Sequence, residues 1–247
     1  MRVVIIGRGN VAVNLEYAFR KKGLNVEMHS SREGLDRLPE NTDVCIYAVQ
    51  DKALAEVVSQ VKMPSRVLHL HTSGCMPMSV FGSDKPHAGI MYPFQTLSKE
   101  RVMEDFSQVP VFVEARGIDD VSAICSLALM ITPHVSEVSQ HDRELLHAAG
   151  VFVNNFPNLL YGMAADLLKG THIPFSALLP LIDETAAKVH ALTPEQAQTG
   201  PARRNDTGVI AKHLSLLVTE EQREVYRLLS ECIRRRSEAM VVNDKGH

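Results

Sequence analysis

The chain has 247 residues, of which 45% are hydrophobic and 22% charged, and its formal net charge at pH 7 is −3. This composition is ordinary for a globular protein, and no apolar run approaches the roughly 18 residues of a membrane-spanning helix, which argues against a membrane protein. The small negative charge without a basic stripe argues against nucleic acid as a partner, and the length allows one or two domains.

The first predicted element is a buried strand over residues 2–6, and because it begins directly after Met1 we expect no secretory leader and a cytoplasmic protein. A turn with the sequence Gly7-Arg8-Gly9-Asn10-Val11-Ala12 follows, and apolar residues at helical spacing predict a helix over residues 10–22. In such a turn Gly7 permits the bend, Gly9 lets the backbone approach a pyrophosphate, and Ala12 keeps the helix close to the strand. The amides of the first helical turn then face the anion. These six residues are therefore predicted to bind a dinucleotide.

The end of the second predicted strand, residues 25–29, decides which dinucleotide is bound. An NAD site usually places a carboxylate roughly 20 residues beyond the glycines, whereas this chain has Ser30-Ser31-Arg32 there. Two hydroxyls and a guanidinium can bind a 2'-phosphate, which an acidic residue would repel, so we predict NADP as the cofactor. In the alternative, Ser30 and Ser31 cap a short helix from about Glu33, Arg32 is solvated, and Glu27 is the acidic partner.

The next two predicted strands, residues 44–49 and 66–71, end where this kind of sheet binds ligands. Beyond the first of them, Ala48-Val49-Gln50 is expected to contact the cofactor, and Asp51 is expected to cap a helix over residues 52–61. Beyond the second, His71-Thr72-Ser73-Gly74 offers the cofactor or substrate a hydroxyl and a backbone amide, which makes Ser73 a candidate catalytic residue. His71 alternates with His69 along the strand, so it can equally be a satisfied core histidine.

Residues 72–110 are rich in proline and glycine and are predicted to form a loop. In this loop the Tyr92 hydroxyl is a candidate proton donor, and Gln95 is a candidate substrate-binding residue. Further strands are predicted over residues 111–114 and 133–138, with a helix over 119–131. The alternation of strands and helices predicts an α/β fold for residues 1–140, a Rossmann-like, mostly parallel sheet covered on both faces.

From about residue 140 the apolar period becomes helical, which predicts an all-helical second domain over residues 141–247. The predicted helices cover residues 141–169, 174–191, 206–218 and 220–243. Pro157 lies inside the first of these helices, and a kink or a restart of the helix is expected there.

Polar residues precede that proline, and His147, Asn154 and Asn158 share one helical face. His147 is a candidate acid or base because histidine ionises near neutral pH. Asn154 is a candidate catalytic residue and Asn155 a candidate substrate-binding residue. In the alternative interpretation, the asparagines form hydrogen bonds between helices around the kink.

Arg203 and Arg204 follow a Gly-Pro turn and precede Asp206, which is predicted to cap the next helix. Paired guanidinium groups suit a carboxylate or phosphate of a substrate, although they can also form ion pairs between helices or across a dimer seam. Apart from His69 and His71 on one face of a strand, histidine, cysteine and acidic residues do not recur at the spacing of metal ligands, so no metal site is predicted.

Several segments, found together in this order, are similar to a Rossmann-like family whose helical C-terminal half is a domain of unknown function. They are the glycine-rich start, Ser30-Ser31-Arg32, His71 to Gly74, Tyr92-Pro93-Phe94-Gln95-Thr96, His147 to Asn155 and Gly200 to Asp206. The resemblance implies an NADP-binding oxidoreductase laid out like pyrroline-5-carboxylate reductase and deazaflavin-dependent NADP reductases, whose helical domains commonly pair in dimers. Many members of the family carry His-Pro where this chain has Tyr92-Pro93. The Ser-Gly-Ser-Gly-Pro run of pyrroline-5-carboxylate reductase is replaced here by Leu146 to Gly150.

Two functional hypotheses follow. The first is an NADPH-dependent reductase of a small polar or anionic carbonyl or imine compound, bound between the two domains of a homodimer that pairs through its helical domain. The second is a non-catalytic NADP-binding sensor. The first hypothesis is favoured by four polar residues that a protein binding only the nucleotide does not require, namely His147, Asn154, Asn155 and Arg203.

Overall fold

The computed structural model describes residues 1–32 and 34–244. Contacts between residues divide the chain into two compact units, Met1–Asn155 and Phe156–His247. The first unit contains seven strands: β1 (Arg2–Ile6), β2 (Asn25–His29), β3 (Val44–Tyr47), β4 (Leu68–His71), β5 (Ala88–Pro93), β6 (Val111–Ala115) and β7 (Val135–Glu137). Its helices are α1 (Asn10–Lys21), α2 (Asp51–Gln60), α3 (Ile118–Leu129) and α4 (Gln140–Gly150), with a 3-10 turn (Met78–Phe81) and a π-helical turn (Val151–Asn155).

The strands form one sheet in the order β2-β1-β3-β4-β5-β6-β7. All neighbours are parallel except β5 and β6, which are antiparallel. Ile6 at the end of β1 pairs with His29 and Tyr47, and Tyr47 pairs with His71, so the carboxyl ends of these strands meet at one edge. This architecture confirms the predicted Rossmann-like, mostly parallel sheet, and the edge is where such sheets bind ligands.

Apolar clusters cover both faces of the sheet. Val3 and Ile5 of β1 face one side with Leu15 of α1, whereas Val4 and Ile6 face the other side. The second face is covered by Leu54, Val57 and Val58 of α2. Because both faces are covered, the central strands are continuous apolar runs in the sequence.

The prediction of a loop over residues 72–110 was wrong for its centre, where β5 lies between β4 and β6. The strand is six residues long and contains Gly89 and ends at Pro93, two residues that usually indicate turns. Gly89 is needed for space, since an added Cβ would overlap the side chain of Ile124 in α3. Tertiary packing therefore overrides the local signal.

The second unit is helical throughout the part that the structure describes, which confirms the predicted helical C-terminal region. Its elements are α5 (Phe156–Leu168), a 3-10 turn (Phe175–Leu178), α6 (Leu179–Lys188), α7 (Pro194–Ala197), α8 (Thr207–Leu216) and α9 (Glu220–Asp244). The boundary between the two units lies after Asn155, fifteen residues later than the boundary at residue 140 that the apolar periodicity predicts. The difference arises because α4 packs with the sheet through Arg143 and Glu114. Of the helices described, none has the length and hydropathy to cross a membrane.

Candidate functional site

The glycine-rich turn between β1 and α1 is held between the ends of the two neighbouring strands. Gly7 donates its amide to the carbonyl of His29 at 2.9 Å, and Ala48 donates its amide to the carbonyl of Ile6 at 2.9 Å. Gly7 has a φ of +131°, and a Cβ added there would overlap the carbonyl oxygen of Ala48. Only glycine satisfies both constraints, so the sequence at this position follows from the close packing of the turn against β3.

The amino-terminal end of α1 presents backbone amides without a side-chain cap. Gly9 is the N-cap residue, and a Cβ added to it would meet no atom within 4 Å. Asn10 is exposed, Val11 is half-buried and Ala12 is fully buried against the sheet. Open space in front of uncapped helix amides, together with the positive end of the helix dipole, is suited to an anion such as a phosphate.

Ser30, Ser31 and Arg32 follow β2 at the same edge, with Arg32 exposed and its amide donated to Ser30 Oγ at 3.2 Å. The competing acidic residue, Glu27, is already paired. Its carboxylate accepts a hydrogen bond from Arg2 at 2.6 Å, and this bond holds the pKa of Glu27 below its usual range. His29 Nε2 lies 2.9 Å from the other carboxylate oxygen.

These pairings disfavour the alternative in which Glu27 binds a ribose. That alternative also places a short helix from Glu33, which lies outside the described residues; residues 34–37 form a turn.

Beyond β3, Ala48 is buried, Val49 is half-buried and Gln50 is exposed. Gln50 is the N-cap residue of α2, and Asp51 is the first residue inside the helix. The expectation that Asp51 caps this helix was therefore wrong by one position.

Beyond β4, His71 is fully buried and its ring stacks on Phe81 with centroids 5.6 Å apart. Burial lowers the pKa of His71 to about 3, so the ring is neutral. Its Nδ1 accepts the amide of Ser73 at 3.2 Å. These contacts give His71 a core position from which it supports the following loop.

The loop itself is shaped by Ser73, whose Oγ accepts the amides of Cys75 at 3.1 Å and Met76 at 3.0 Å. Thr72 and Ser73 are half-buried and Gly74 is buried. A Cβ added to Gly74 would lie 2.5 Å from His147 Nδ1, so the glycine backbone packs directly on that ring.

His147 on α4 is also hydrogen-bonded to Tyr92 on β5, with 3.0 Å between Nδ1 and the phenol oxygen. Burial raises the pKa of Tyr92 to about 12. The structure thus brings two predicted site residues, Gly74 and Tyr92, into contact with a third, His147, from three separate segments of the chain.

Arg143, one turn earlier on α4, is fully buried and was missed in the sequence. Its guanidinium donates to the carboxylate of Glu114 on β6 at 3.1 and 3.2 Å, and to the carbonyl of Ser73 at 3.1 Å. Arginine on a helix is by default solvated, so the sequence carries no sign of this burial. Through its hydrogen bond to Ser73, Arg143 connects the loop after β4 to α4, the helix that contains His147.

A cleft of about 390 Å³ opens beside the Tyr92 and His147 pair. It is lined by Tyr92, Phe94, Gln95, Thr96, His147, Gly150, Val151, Val153, Asn154 and Asn155, all from the first unit. The π-helical turn ends two residues before Pro157, which lacks the amide that a regular helix would use. The two candidate site residues Asn154 and Asn155 both line the cleft, whereas Asn158, which shares the face of Asn154 in a regular helix, is not among the lining residues.

Arg203 and Arg204 belong to the helical unit, where both are exposed. Arg203 donates to the carbonyl of Gln198 within its own turn. Asp206 accepts the amide of Val209 at 3.1 Å, which confirms the predicted cap of α8. The ligand role of the two arginines stays a prediction.

A family model described as Domain of unknown function (DUF2520) matches residues 109–233. The chain is also similar to a solved Bacteroides fragilis protein provisionally assigned as an NADP oxidoreductase, with 36% identity and a TM-score of 0.89 over 95% of this chain and 98% of that one. A search of curated proteins found no match.

Two more distant structures share the fold. Pyrroline carboxylate reductase from Plasmodium falciparum with NADP bound is 11% identical, with a TM-score of 0.60 over 97% of this chain and 99% of that one. An imine reductase from Myxococcus stipitatus in complex with NADP+ is 13% identical, with a TM-score of 0.58 over 98% of this chain and 95% of that one.

The family match covers half of the sequence and confirms the resemblance seen in the motifs. The chain belongs to the family described as domain of unknown function DUF2520.

Proposed function

We propose that this protein is an NADP-dependent oxidoreductase that acts on a small polar or anionic carbonyl or imine compound. The observation that carries the proposal is the Tyr92 and His147 pair, which lines a cleft at the sheet edge that also carries the glycine-rich turn. The Bacteroides fragilis relative, provisionally assigned as an NADP oxidoreductase, supports the same general activity.

The residues at this edge fit NADP. The uncapped amides of α1 and the open space at Gly9 suit its diphosphate, and Ser30, Ser31 and Arg32 suit its 2'-phosphate. The loops that follow β3 and β4, Ala48 to Gln50 and Thr72 to Gly74, complete the proposed cofactor site. When bound, the reduced cofactor supplies the hydride.

Tyr92 is the proposed proton donor. With its pKa raised to about 12 by burial, the phenol keeps its proton at neutral pH. When His147 carries a hydrogen on Nδ1, it donates to the Tyr92 oxygen and leaves the phenol hydrogen free to protonate a developing alkoxide or amine. His147 can then pass its Nδ1 proton to the tyrosinate along the same hydrogen bond, while Nε2 takes up a proton from solvent.

The remaining polar lining orients the substrate. Gln95, Asn154 and Asn155 offer amide groups that both donate and accept hydrogen bonds, while Phe94 supplies an apolar surface. The ten lining residues include one histidine, His147, and no lysine, arginine, aspartate or glutamate. An anionic substrate would require a cation from elsewhere, the role proposed for Arg203 and Arg204.

We also propose that the protein is a homodimer that pairs through its helical unit. That unit has an apolar groove of about 350 Å³ lined by residues such as Leu160, Met163, Leu167 and Leu229, several of them exposed. Exposed apolar patches of this kind mark interfaces. Sedimentation velocity tests the proposal, and a species with the mass of one chain at micromolar concentration would contradict it.

The enzymatic proposal is tested by following NADPH oxidation with a panel of aldehydes, ketones, keto acids and cyclic imines. We expect turnover of at least one class and, with that substrate, a roughly 10²- to 10³-fold lower kcat in Tyr92→Phe, which is the usual contribution of a positioned proton donor. Tyr17→Phe is the matched control, since Tyr17 is an exposed residue of α1. It should keep the wild-type rate.

Two results would contradict the proposal. Tight NADP+ binding without turnover of any class would favour the sensor. Equal rates in Tyr92→Phe and the wild type would remove Tyr92 as the proton donor.

A further inference from the structure

Asn14, in the middle of α1, is fully buried among apolar neighbours. Asparagine is a poor helix former, and a buried amide must find hydrogen-bond partners. Its Nδ2 donates to the carbonyl of Asn10 at 2.8 Å and to the carbonyl of Ser98 at 2.9 Å, and its Oδ1 accepts the amide of Met103 at 2.7 Å. The side chain thus joins the helix that follows the glycine-rich turn to a segment 84 to 89 residues later in the chain.

A second contact joins the same two segments at the first turn of the helix, where Asn10 Oδ1 accepts the amide of Lys99 at 3.2 Å. Residues 97–103, which we call the latch segment, also insert Leu97 and Met103 against the core. The latch segment directly follows Gln95 and Thr96 of the cleft lining. One short stretch of chain therefore connects the first turn of α1 with the wall of the cleft.

We infer that Asn14 is a positioning residue that couples nucleotide binding at the first turn of α1 to the conformation of Gln95 and Thr96 in the cleft. This inference rests on the proposed function, since it takes that turn as the phosphate site. An anion bound by the first-turn amides fixes Asn10 and its neighbours, and the hydrogen bonds through Asn10 and Asn14 carry that restraint to the latch segment. Coupling between two sites is reciprocal, so the intact latch segment in turn strengthens nucleotide binding.

The test uses the full chain and NADP+ alone, without a substrate. Hydrogen exchange of the latch-segment amides is measured with and without NADP+, and affinity is measured by calorimetry. In the wild type we expect NADP+ to slow exchange in the latch segment. In Asn14→Leu the slowing should disappear and NADP+ should bind roughly five- to tenfold more weakly, within the usual range for coupled sites.

Asn14→Asp is a second variant, and circular dichroism first establishes that both variants are folded. Asn14→Asp keeps the shape and the acceptor for Met103, but it places an oxygen against the carbonyls of Asn10 and Ser98 in place of the donor. In Asn14→Asp, as in Asn14→Leu, NADP+ should no longer slow exchange in the latch segment and should bind more weakly. Lys21→Met is the matched control, because Lys21 joins α1 to the carbonyl of Glu104 at 2.7 Å from the opposite end of the helix. It should bind NADP+ as the wild type does.

The outcomes separate the two proposals. If the wild type binds NADP+ but exchange in the latch segment does not change, or if Asn14→Asp keeps both the affinity and the slowing, the coupling role is overturned and the proposed function stands. If the wild type does not bind NADP+, the proposed function fails and the coupling role fails with it.

Discussion

Gly74 is the residue on which the placement of His147 depends most directly. Its φ does not lie in the left-handed region, so its constraint is space: an added Cβ would lie 2.5 Å from Nδ1 and 2.7 Å from Cγ of His147. Either the ring or the loop must then move, and the 3.0 Å contact between His147 and Tyr92 is disturbed. A small displacement of a catalytic group is sufficient to reduce turnover strongly.

We expect Gly74→Ala to lower kcat by about 10²-fold, the effect of misplacing a catalytic group by about 1 Å. The measurement is the rate of NADPH oxidation with a substrate identified in the panel. Gly117→Ala is the matched control, because a Cβ added there meets no atom within 4 Å. Wild-type turnover in Gly74→Ala would show that the contact with Gly74 does not position His147 for the reaction.

At the scale of elements, one buried ion pair connects α4, β6 and the loop after β4. Arg143 is fully buried and its Glu114 partner is 18% exposed, with 3.1 Å between the charged groups. A buried charge that loses its partner is strongly destabilising, whereas replacement of both partners by neutral groups is much less so.

Arg143→Met is therefore expected to lower the free energy of unfolding by about 3 kcal/mol, because it leaves the Glu114 carboxylate without its cation. The double variant Arg143→Met with Glu114→Gln should recover part of that loss. Urea denaturation followed by circular dichroism measures both. Unchanged stability in the single variant would contradict the role given to this pair.

Strand β4 carries two buried neutral histidines, and they determine how stability depends on pH. Burial lowers the pKa of His69 to about 4 and that of His71 to about 3. In the unfolded chain both titrate near 6.5. As the pH falls below 6.5, the unfolded chain binds protons that the folded protein does not, so stability is present above that pH and is lost on acidification.

Between pH 7 and pH 5, protonation of each of these histidines in the unfolded chain is expected to lower the free energy of unfolding by about 2 kcal/mol. In His71→Gln, which keeps an acceptor for the Ser73 amide, the pH dependence should be smaller by about that amount. His172→Gln, at an exposed position, should behave as the wild type. Urea denaturation at pH 7, 6 and 5 makes the comparison, and an identical pH dependence in His71→Gln would disprove the explanation.

The same elements show what the sequence can and cannot predict. Strands β1 to β4 were predicted to within two residues because buried parallel strands read as apolar runs. Strand β5 was missed because Gly89 and Pro93 carry turn signals that only the packing overrides. The burial of Asn14 and Arg143 depends on partners 29 to 89 residues away, which no local pattern reveals.

The candidate site was predicted in part for the same reason. The glycine-rich turn is a local motif, so its residues could be identified in the sequence. The contacts among Gly74, Tyr92 and His147 are formed between elements, so each residue was proposed singly and their pairing was not. Asn154 and Asn155 were both proposed from the sequence and both line the cleft, although the regular helical period places Asn158, and not Asn155, on the face of Asn154.

For the whole molecule, the proposed cofactor site and the cleft lie at one edge of the sheet in the unit Met1–Asn155. The strand order reverses beside β1, and the ends of β1, β2 and β3 meet there. The end of β4 lies at the same edge and is followed by the loop in which Gly74 contacts His147. Binding of a 2'-phosphorylated dinucleotide at this edge is the claim on which the proposed activity and the role of Asn14 both depend.

The most direct test is calorimetric titration of the wild type, Arg32→Glu and the control Arg37→Glu with NADP+ and with NAD+. Arg37 is exposed in the following turn and is not part of the proposed site. We expect the wild type to prefer NADP+ and Arg32→Glu to weaken NADP+ binding by about tenfold or more, the contribution of a charge-assisted hydrogen bond, while NAD+ binding changes little. Equal weakening for both nucleotides, or no binding of either by the wild type, would contradict this expectation.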